Sequence, residues 1–405
     1  MIPRGQLDIG WSDLAAAAGA CLAPGSRPDA SARVESLWAP TGDGLACLSV
    51  RSGLDLLLRT LDYPPGTEVL VSAITIRDIV RIIEHHGLTP VPVDIDMRTL
   101  TLDMDSLRRA AGPDSRVLLV AHLFGSRMPL DEVGRFARDR GLLLVEDCAQ
   151  SFTGLEYRGH EAADVSMFSF GPLKTSSALG GALLRVKDAA LLGRMKSLHA
   201  TYPVQGRGRY LKRVVRFGAV RLFMQPLPYT TLCAACRAVG RNHDELLNQA
   251  IRGFSGPAFF RNIRHQPSGA LLALLWRRLT APTSRVPRRI EAAQAFERVL
   301  PEVPRPGRDA GHHSYWIFPI WSDAPDALVS HLAERGFDST RGAWSVCAVP
   351  APASRPELAP TQAQEGMRRL LYVPVYPEVA RADLARLGEA IREFPAAATA
   401  VAVGA

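Results

Sequence analysis

The chain has 405 residues, 47% of them hydrophobic and 22% charged, with a formal net charge of +8. That length supports a large buried core shared between two or more lobes, and the composition is that of an ordinary globular protein. No apolar run reaches the roughly 20 uncharged residues of a membrane-spanning helix. The opening MIPRGQLDIGWSDLAAAAGACLAPGS lacks the basic-then-apolar order of a secretory signal, so a cytoplasmic location is the expectation.

From residue 45 to 190 short apolar runs alternate with amphipathic ones. The spacing predicts a turn and helix over 50–63, a strand at 68–74, a helix at 77–87, a strand at 90–96 and a helix at 103–112. A strand at 116–125, a helix at 131–141 and strands at 142–147, 164–170 and 182–186 follow. Strands alternating with helices imply a largely parallel sheet covered on both faces. Ligands of such sheets bind beyond the carboxyl ends of the strands, which directs attention to Ser72, His122, Asp147 and Gln150.

Residues 189–243 differ: they hold ten basic residues and no acid, whereas the other 350 residues hold 38 basic and 40 acidic groups. Within them RYLKRVVRFGAVRLFM (209–224) spaces Arg209, Lys212, Arg213 and Arg216 at helical intervals, with Leu211, Val214, Val215 and Leu222 on another face. Three readings stand side by side: a peripheral membrane helix at the inner face of the membrane, a helix packed on a partner subunit, and a positive collar for anionic substrates. Nucleic acid is not expected, because no aromatic platform or known motif accompanies the charge.

Helices are expected over 270–282 and from 285 to 300. Strand-like 312–321, helical 326–337, strand-like 368–376 and helical 381–394 suggest a smaller α/β lobe, with a Pro/Ala-rich loop at 349–362. The expected organisation is an N-terminal segment 1–44, a large domain 45–280 with a basic amphipathic insertion at about 200–260, a small domain 281–395 and a tail 396–405.

The six cysteines are scattered as free thiols would be. Cys233 and Cys236 form a lone CxxC without a second ligand pair at zinc spacing, and read as small buried residues. Lysine is scarce: Lys174, Lys187, Lys196 and Lys212 are the only four among 48 basic residues. Arginine stays protonated at neutral pH, so imine chemistry has few candidate residues here.

Lys174 lies in MFSFGPLKTSSALGGALL, the only charge between Asp164 and Arg185. Apolar surroundings lower an amine's pKa and free it as a nucleophile, and Gly180-Gly181 allows a close backbone approach. Asp147 ends the buried strand LLLVED, where two carboxylates need partners or a cleft. A lysine and a carboxylate above one sheet edge suit pyridoxal phosphate: the amine bonds its aldehyde, and the acid keeps its ring nitrogen protonated.

These residues, with VPVDID (91–96), VAHLFG (120–125), VEDCAQSF followed by ADVSMFSFGPLK, and HHSYWIFPI, resemble the DegT/DnrJ/EryC1/StrS family of pyridoxal-phosphate-dependent, fold-type-I aminotransferases, in divergent form, over most of residues 45–395. The resemblance implies an aspartate-aminotransferase-like α/β fold, a homodimer, and pyridoxal 5′-phosphate as cofactor. It implies that Lys174 forms the internal aldimine and moves the proton, Asp147 pairs with the ring nitrogen, Ala149 packs on the ring, Gln150 lies near the ring oxygen and Ser169 binds the phosphate. Ser52 and Gly53 open a helix at a position suited to an anion through free N–H groups. Asn262 matches an asparagine that reaches the neighbouring subunit's phosphate, although a second register puts Arg264 there.

Three positions depart from the family pattern: Leu54 replaces a threonine, Ile76 or Ile74 replaces a ring-stacking aromatic, and Leu179-Gly180-Gly181 is a shortened element. The resulting expectation is ping-pong amino transfer, with glutamate as donor, to a keto group of a sugar-like or lipid-linked acceptor. Dehydration or elimination on the same cofactor, and a non-catalytic ligand- or membrane-binding homologue, are the alternatives.

Overall fold

The strand runs Val117–Ala121 and Leu144–Asp147 are buried along their whole length, a pattern that needs a sheet covered on both sides. The structure, a computed structural model, describes residues 1–23, 25–240, 243–244, 246, 254, 256–281, 285–342 and 346–395; the tail 396–405 lies outside them. Strands β1 (Gly44–Cys47), β2 (Glu68–Ser72), β3 (Thr89–Val93), β4 (Ser115–Ala121), β5 (Leu143–Asp147), β6 (Val165–Ser169) and β7 (Ala182–Val186) make one sheet in the order β1-β7-β6-β5-β4-β2-β3. The five from β6 to β3 are mutually parallel; β7 is antiparallel to both its neighbours.

Alternate residues of one strand feed two cores. Val117 and Leu119 join a core with helices α3 (Val50–Leu61), α4 (Arg77–His85) and α7 (Ala189–Ala200). Leu118 and Val120 point the other way, toward α5 (Met104–Ala110) and α6 (Asp131–Asp139). The first 44 residues supply α1 (Trp11–Leu22) and α2 (Arg27–Trp38). With α8 (Arg207–Phe223) and α11 (Gly269–Thr280) they build a third core around Trp38, Phe168, Phe170 and Leu271. Between these lie α9 (Pro226–Ala238) and the short α10 (Phe259–Ile263). The C-terminal lobe pairs Phe318–Trp321 with Leu370–Val373 antiparallel. It packs them on α12 (Arg285–Val299), α13 (Pro325–Glu334) and α15 (Arg381–Arg392) through Phe296, Leu332 and Leu387.

Several of the expected strands are shorter in the structure. The 68–74 run ends at Ser72, and Ile74–Thr75 pairs instead with Cys347–Ala348. The 90–96 run breaks at Asp94, whose carboxylate accepts from Gln362 N–H and Ala363 N–H at the start of α14 (Thr361–Arg369), both at 3.0 Å. Arg368 and Arg369 belong to that helix rather than to the strand that follows. Within 312–321 only Phe318–Trp321 is strand; Ser314 N–H and Oγ–H both donate to Gly125 O, and Tyr315 has φ 49°, so the chain turns toward the large sheet first.

The N-terminal arm is tied across the molecule. Asp338, 3% exposed, accepts from Arg4 Nε at 2.6 Å and Nη2 at 2.9 Å, and from Tyr229 OH. Burial opposes its charge, but hydrogen bonds from His243, Arg4 and Tyr229 outweigh this and hold the carboxyl at about 2. A depressed folded-state pKa stabilises above the unfolded value near 3.9, and that stability disappears as pH falls through the folded one. We expect Asp338→Asn to lower the urea-unfolding free energy by about 2–3 kcal/mol at pH 6, with the difference from wild type vanishing as pH falls toward 2. An unchanged midpoint at pH 6 would contradict the assignment.

Candidate active site

The two carboxylates that end β5 have different fates. Glu146 is wholly buried and saturated: His122 Nε2–H donates at 2.8 Å, Ser166 Oγ–H at 2.8 Å, His160 N–H at 2.8 Å, and Tyr157 OH also donates. Burial alone would raise its pKa, yet these partners bring it down to about 2. Met128 N–H donates to His122 Nδ1 at 3.2 Å, which fixes the neutral tautomer and leaves Nε2–H for Glu146. His122, Glu146 and Cys148 also converge within 4.8 Å of one another; their hydrogen bonds account for that cluster without an ion. Ser72 Oγ likewise is committed, accepting from Ala121 N–H at 2.9 Å.

Asp147, one residue on, faces the cleft instead. Its Oδ1 accepts from Ala149 N–H at 2.9 Å, and no hydrogen bond among the described residues uses Oδ2. Burial raises its pKa; Ala149 N–H, Lys174 and Arg51 pull the other way and do not overcome it. Lys174 sits in the turn after β6, its N–H donating to Gly171 O at 3.0 Å. Part of the side chain keeps accessible surface, yet protein atoms crowd the amine, and that crowding governs its titration. Desolvation lowers the ammonium to about 7; Asp147 opposes the shift and Arg51 adds to it. The amine and the carboxylate therefore occupy the same end of the sheet, close enough for each to move the other's titration.

The remaining sequence-derived candidates fall around this pair unevenly. Ala149 and Gln150 are half-buried beside Asp147, and Gln150 Oε1 accepts from Phe124 N–H at 2.8 Å. Ser169 Oγ lies next to the Lys174 stem: a Cβ on Gly171 would meet Ser169 Oγ at 3.6 Å and Lys174 Cγ at 3.9 Å. At the start of α3, Ser49 Oγ accepts from Ser52 N–H at 3.1 Å and Ser49 O from Gly53 N–H at 3.0 Å. This corrects the expectation of free N–H groups at Ser52 and Gly53. The first-turn donors with no described partner belong to Val50 and Arg51, while the Ser52 hydroxyl lies 2.9 Å from that of Ser49. Gly53 is needed for packing, since a Cβ there would stand 2.8 Å from Leu184 Cδ1. Gly180 and Gly181 likewise admit Leu271 of α11 and Arg213 of α8.

Ile74 is fully buried, so Ile76, half-buried just ahead of α4, is the one of the two presented toward open space. Arg264 forms a two-pronged ion pair with the buried Asp55, 2.9 Å to each oxygen. No described contact joins Asn262 to Lys174 or Asp147 within this chain; its helix packs on α3 and α4, Phe260 stacking on His85 at 3.5 Å.

Two residues near the amine were not picked out from sequence. The Trp316 ring lies 3.9 Å from Lys174 Nζ, held by its own Nε1–H donating to Leu173 O at 2.9 Å. Arg51, which pairs with Asp78, is the cation that acts on both Asp147 and Lys174. The signals were an arginine directly before Ser-Gly and a tryptophan inside HHSYWIFPI.

The same fold occurs in the aminotransferase TlmJ from Streptoalloteichus hindustanus, with a TM-score of 0.69 and 21% identity over 97% of this chain and 98% of that one. The fold type is that of the pyridoxal-phosphate aminotransferases. The profile of the DegT/DnrJ/EryC1/StrS aminotransferase family matches residues 38–222. It is 26% identical to UDP-N-acetyl-3-dehydro-alpha-D-glucosamine 3-aminotransferase of Acidithiobacillus ferrooxidans, over 86% of this chain and 83% of that one. It is 27% identical to dTDP-3-amino-3,4,6-trideoxy-alpha-D-glucose transaminase of Streptomyces venezuelae, over 86% and 82%.

The donor set fits the cofactor of that class: a buried carboxylate with one uncommitted oxygen, an amine near neutrality, and hydroxyls beside a helix start. Labelling of the cofactor-free protein with fluorodinitrobenzene, followed peptide by peptide with the other three lysines as references, should give Lys174 a midpoint of about 7. Asp147→Asn should move that midpoint lower, because the carboxylate favours the ammonium. A Lys174 midpoint no lower than those of the reference lysines would refute the desolvated-amine assignment.

Proposed function

We propose that the protein transfers an amino group from glutamate to a keto carbon of a nucleotide-linked sugar, using pyridoxal phosphate held at the carboxyl edge of the sheet. The observation that carries this reading is the Lys174 amine near neutrality in the same cleft as the buried Asp147. When bound, pyridoxal phosphate supplies an aldehyde carbon and an electron sink. Asp147 Oδ2 would take the ring N–H; a cation there would also favour ionisation of an acid whose pKa burial raises. Ala149 and Ile76 would flank the ring, and Gln150 Nε2 would reach the ring oxygen. Ser52 and Ser169 hydroxyls, the first-turn N–H groups of Val50 and Arg51, and the Arg51 guanidinium would hold the phosphate, where the helix dipole favours an anion. Arg51 thereby supplies charge where Leu54 has removed a hydroxyl.

Lys174, with a pKa of about 7, is uncharged in a large fraction of molecules at neutral pH and attacks without prior loss of a proton. Once displaced, the same amine is suited to carry a proton between carbon atoms, because an acid–base group works best near the operating pH. Trp316 covers it from the C-terminal lobe. The acceptor class follows from the two relatives, whose names specify UDP- and dTDP-linked sugars; glutamate follows from the family pattern. A homodimer would let Asn262 reach the phosphate of the other subunit, since Arg264 is engaged by Asp55.

The test is spectroscopic. The loaded protein should show a visible cofactor band that Lys174→Ala lacks; glutamate alone should bleach it and release 2-oxoglutarate, and a keto-sugar nucleotide added afterwards should restore it. A band indifferent to glutamate and to a panel of amino donors would defeat the transferase reading. Arg51→Gln should weaken cofactor retention by at least about ten-fold, as loss of one charge-assisted contact does.

A further inference from the structure

The basic segment lies largely beyond the chemistry, and the structure sorts its side chains differently from the sequence pattern. Helix α8 turns Tyr210, Val214, Phe217 and Val220 into the core shared with α1 and α11. Arg213 is also drawn inward: its Nη1–H donates to Leu179 O at 3.1 Å. Arg213 therefore leaves the basic face on which the helical spacing had set it, and Val214 turns inward, apart from the exposed Val215 and Leu222.

What remains outside is both apolar and positive. Val215 is 66% exposed, Leu222 51%, Phe223 46%, and Leu227, at the start of α9, 83%. Trp11, 55% exposed, flanks this strip, with its ring 3.9 Å from where a Cβ on Gly218 would stand. Arg207, Arg209, Lys212 and Arg216 are exposed on the same helix. The nearest acid on α1, Asp13, is buried against Arg277 and Arg278, and residues 189–243 contain no acid at all.

From this we infer that the outer face of α8 and the start of α9, with Trp11, is a docking surface for an anionic lipid bilayer. Bulky apolar side chains alternating with unpaired cations match an interface that offers hydrocarbon just below a layer of phosphates. A second copy of this chain meeting the same face across a two-fold axis would set Arg209, Lys212 and Arg216 against themselves with no acid to offset them. Nucleic acid would satisfy the charge and leave Val215, Leu222 and Leu227 without apolar cover. The surface is independent of the chemistry proposed above.

The test uses the full-length protein and flotation with vesicles of phosphatidylcholine alone or mixed with phosphatidylglycerol. Recovery is expected with the anionic vesicles, weakened by salt, and much less with the neutral ones. Combined Arg209→Gln, Lys212→Gln and Arg216→Gln should reduce partitioning by roughly a hundred-fold, and combined Leu222→Ser, Phe223→Ser and Leu227→Ser by about ten-fold or more. Wild-type tryptophan fluorescence should be quenched by brominated phosphatidylglycerol vesicles, a readout that does not depend on the variants folding. Absence of flotation or of quenching overturns the proposal. So does undiminished vesicle binding by the apolar variant, or a sedimentation mass that falls when the apolar residues are replaced, which would identify the face as a contact between copies. Binding to a single-stranded oligonucleotide that survives the apolar substitutions, with no vesicle binding, would reassign it to nucleic acid.

Discussion

Two opposite charges in a desolvated cleft hold each other in a state that neither would adopt alone. Burial pushes the Asp147 carboxyl up and the Lys174 ammonium down, while their mutual attraction resists both shifts. The charge state of each member is therefore tied to the other, and either is changed by whatever occupies the space between them. The sheet makes this arrangement cheap: parallel strands end together, so residues following β5 and β6 share one edge without any long excursion of the chain.

Glu146 is what allows Asp147 to be so placed. Strand alternation sends consecutive residues to opposite faces, and the carboxylate that points into the protein is neutralised by four donors from His122, Tyr157, His160 and Ser166. These partners come from the residue after β4, from β6 and from the loop between β5 and β6, so the network ties three neighbouring strands together. A rigid edge follows, and the cleft acid is presented from a backbone with little freedom to retreat.

Much of this was legible in sequence because the signals were local. Strands of β-branched and leucine residues bounded by glycine or acid gave the alternating order, and a solitary lysine downstream of Glu-Asp gave the site. What was not legible depended on distant partners. The break at Asp94 reflects a helix start more than 260 residues away in the chain. The turn before Phe318 is held where Ser314 bonds Gly125, and with the Trp316 Nε1–H bond to Leu173 O it brings Trp316 to the amine. Ser52 looked like a bearer of free N–H groups, but Ser49 one turn earlier had already taken that N–H. The face of α8 was misread at Arg213 because helical spacing defines a stripe but not which side the core lies on.

Helix α8 has a second side. Tyr210 OH donates to Ala178 O at 2.8 Å and Arg213 to Leu179 O, so the helix grips the loop that leaves Lys174. Leu179 itself has φ 57° and Ser176 φ 52°, conformations that non-glycine residues keep only when neighbours hold them there. The outward and inward sides of one helix are thus joined through a single rigid body about ten ångströms across. The helix that presents the outer strip therefore also braces the loop that leaves Lys174.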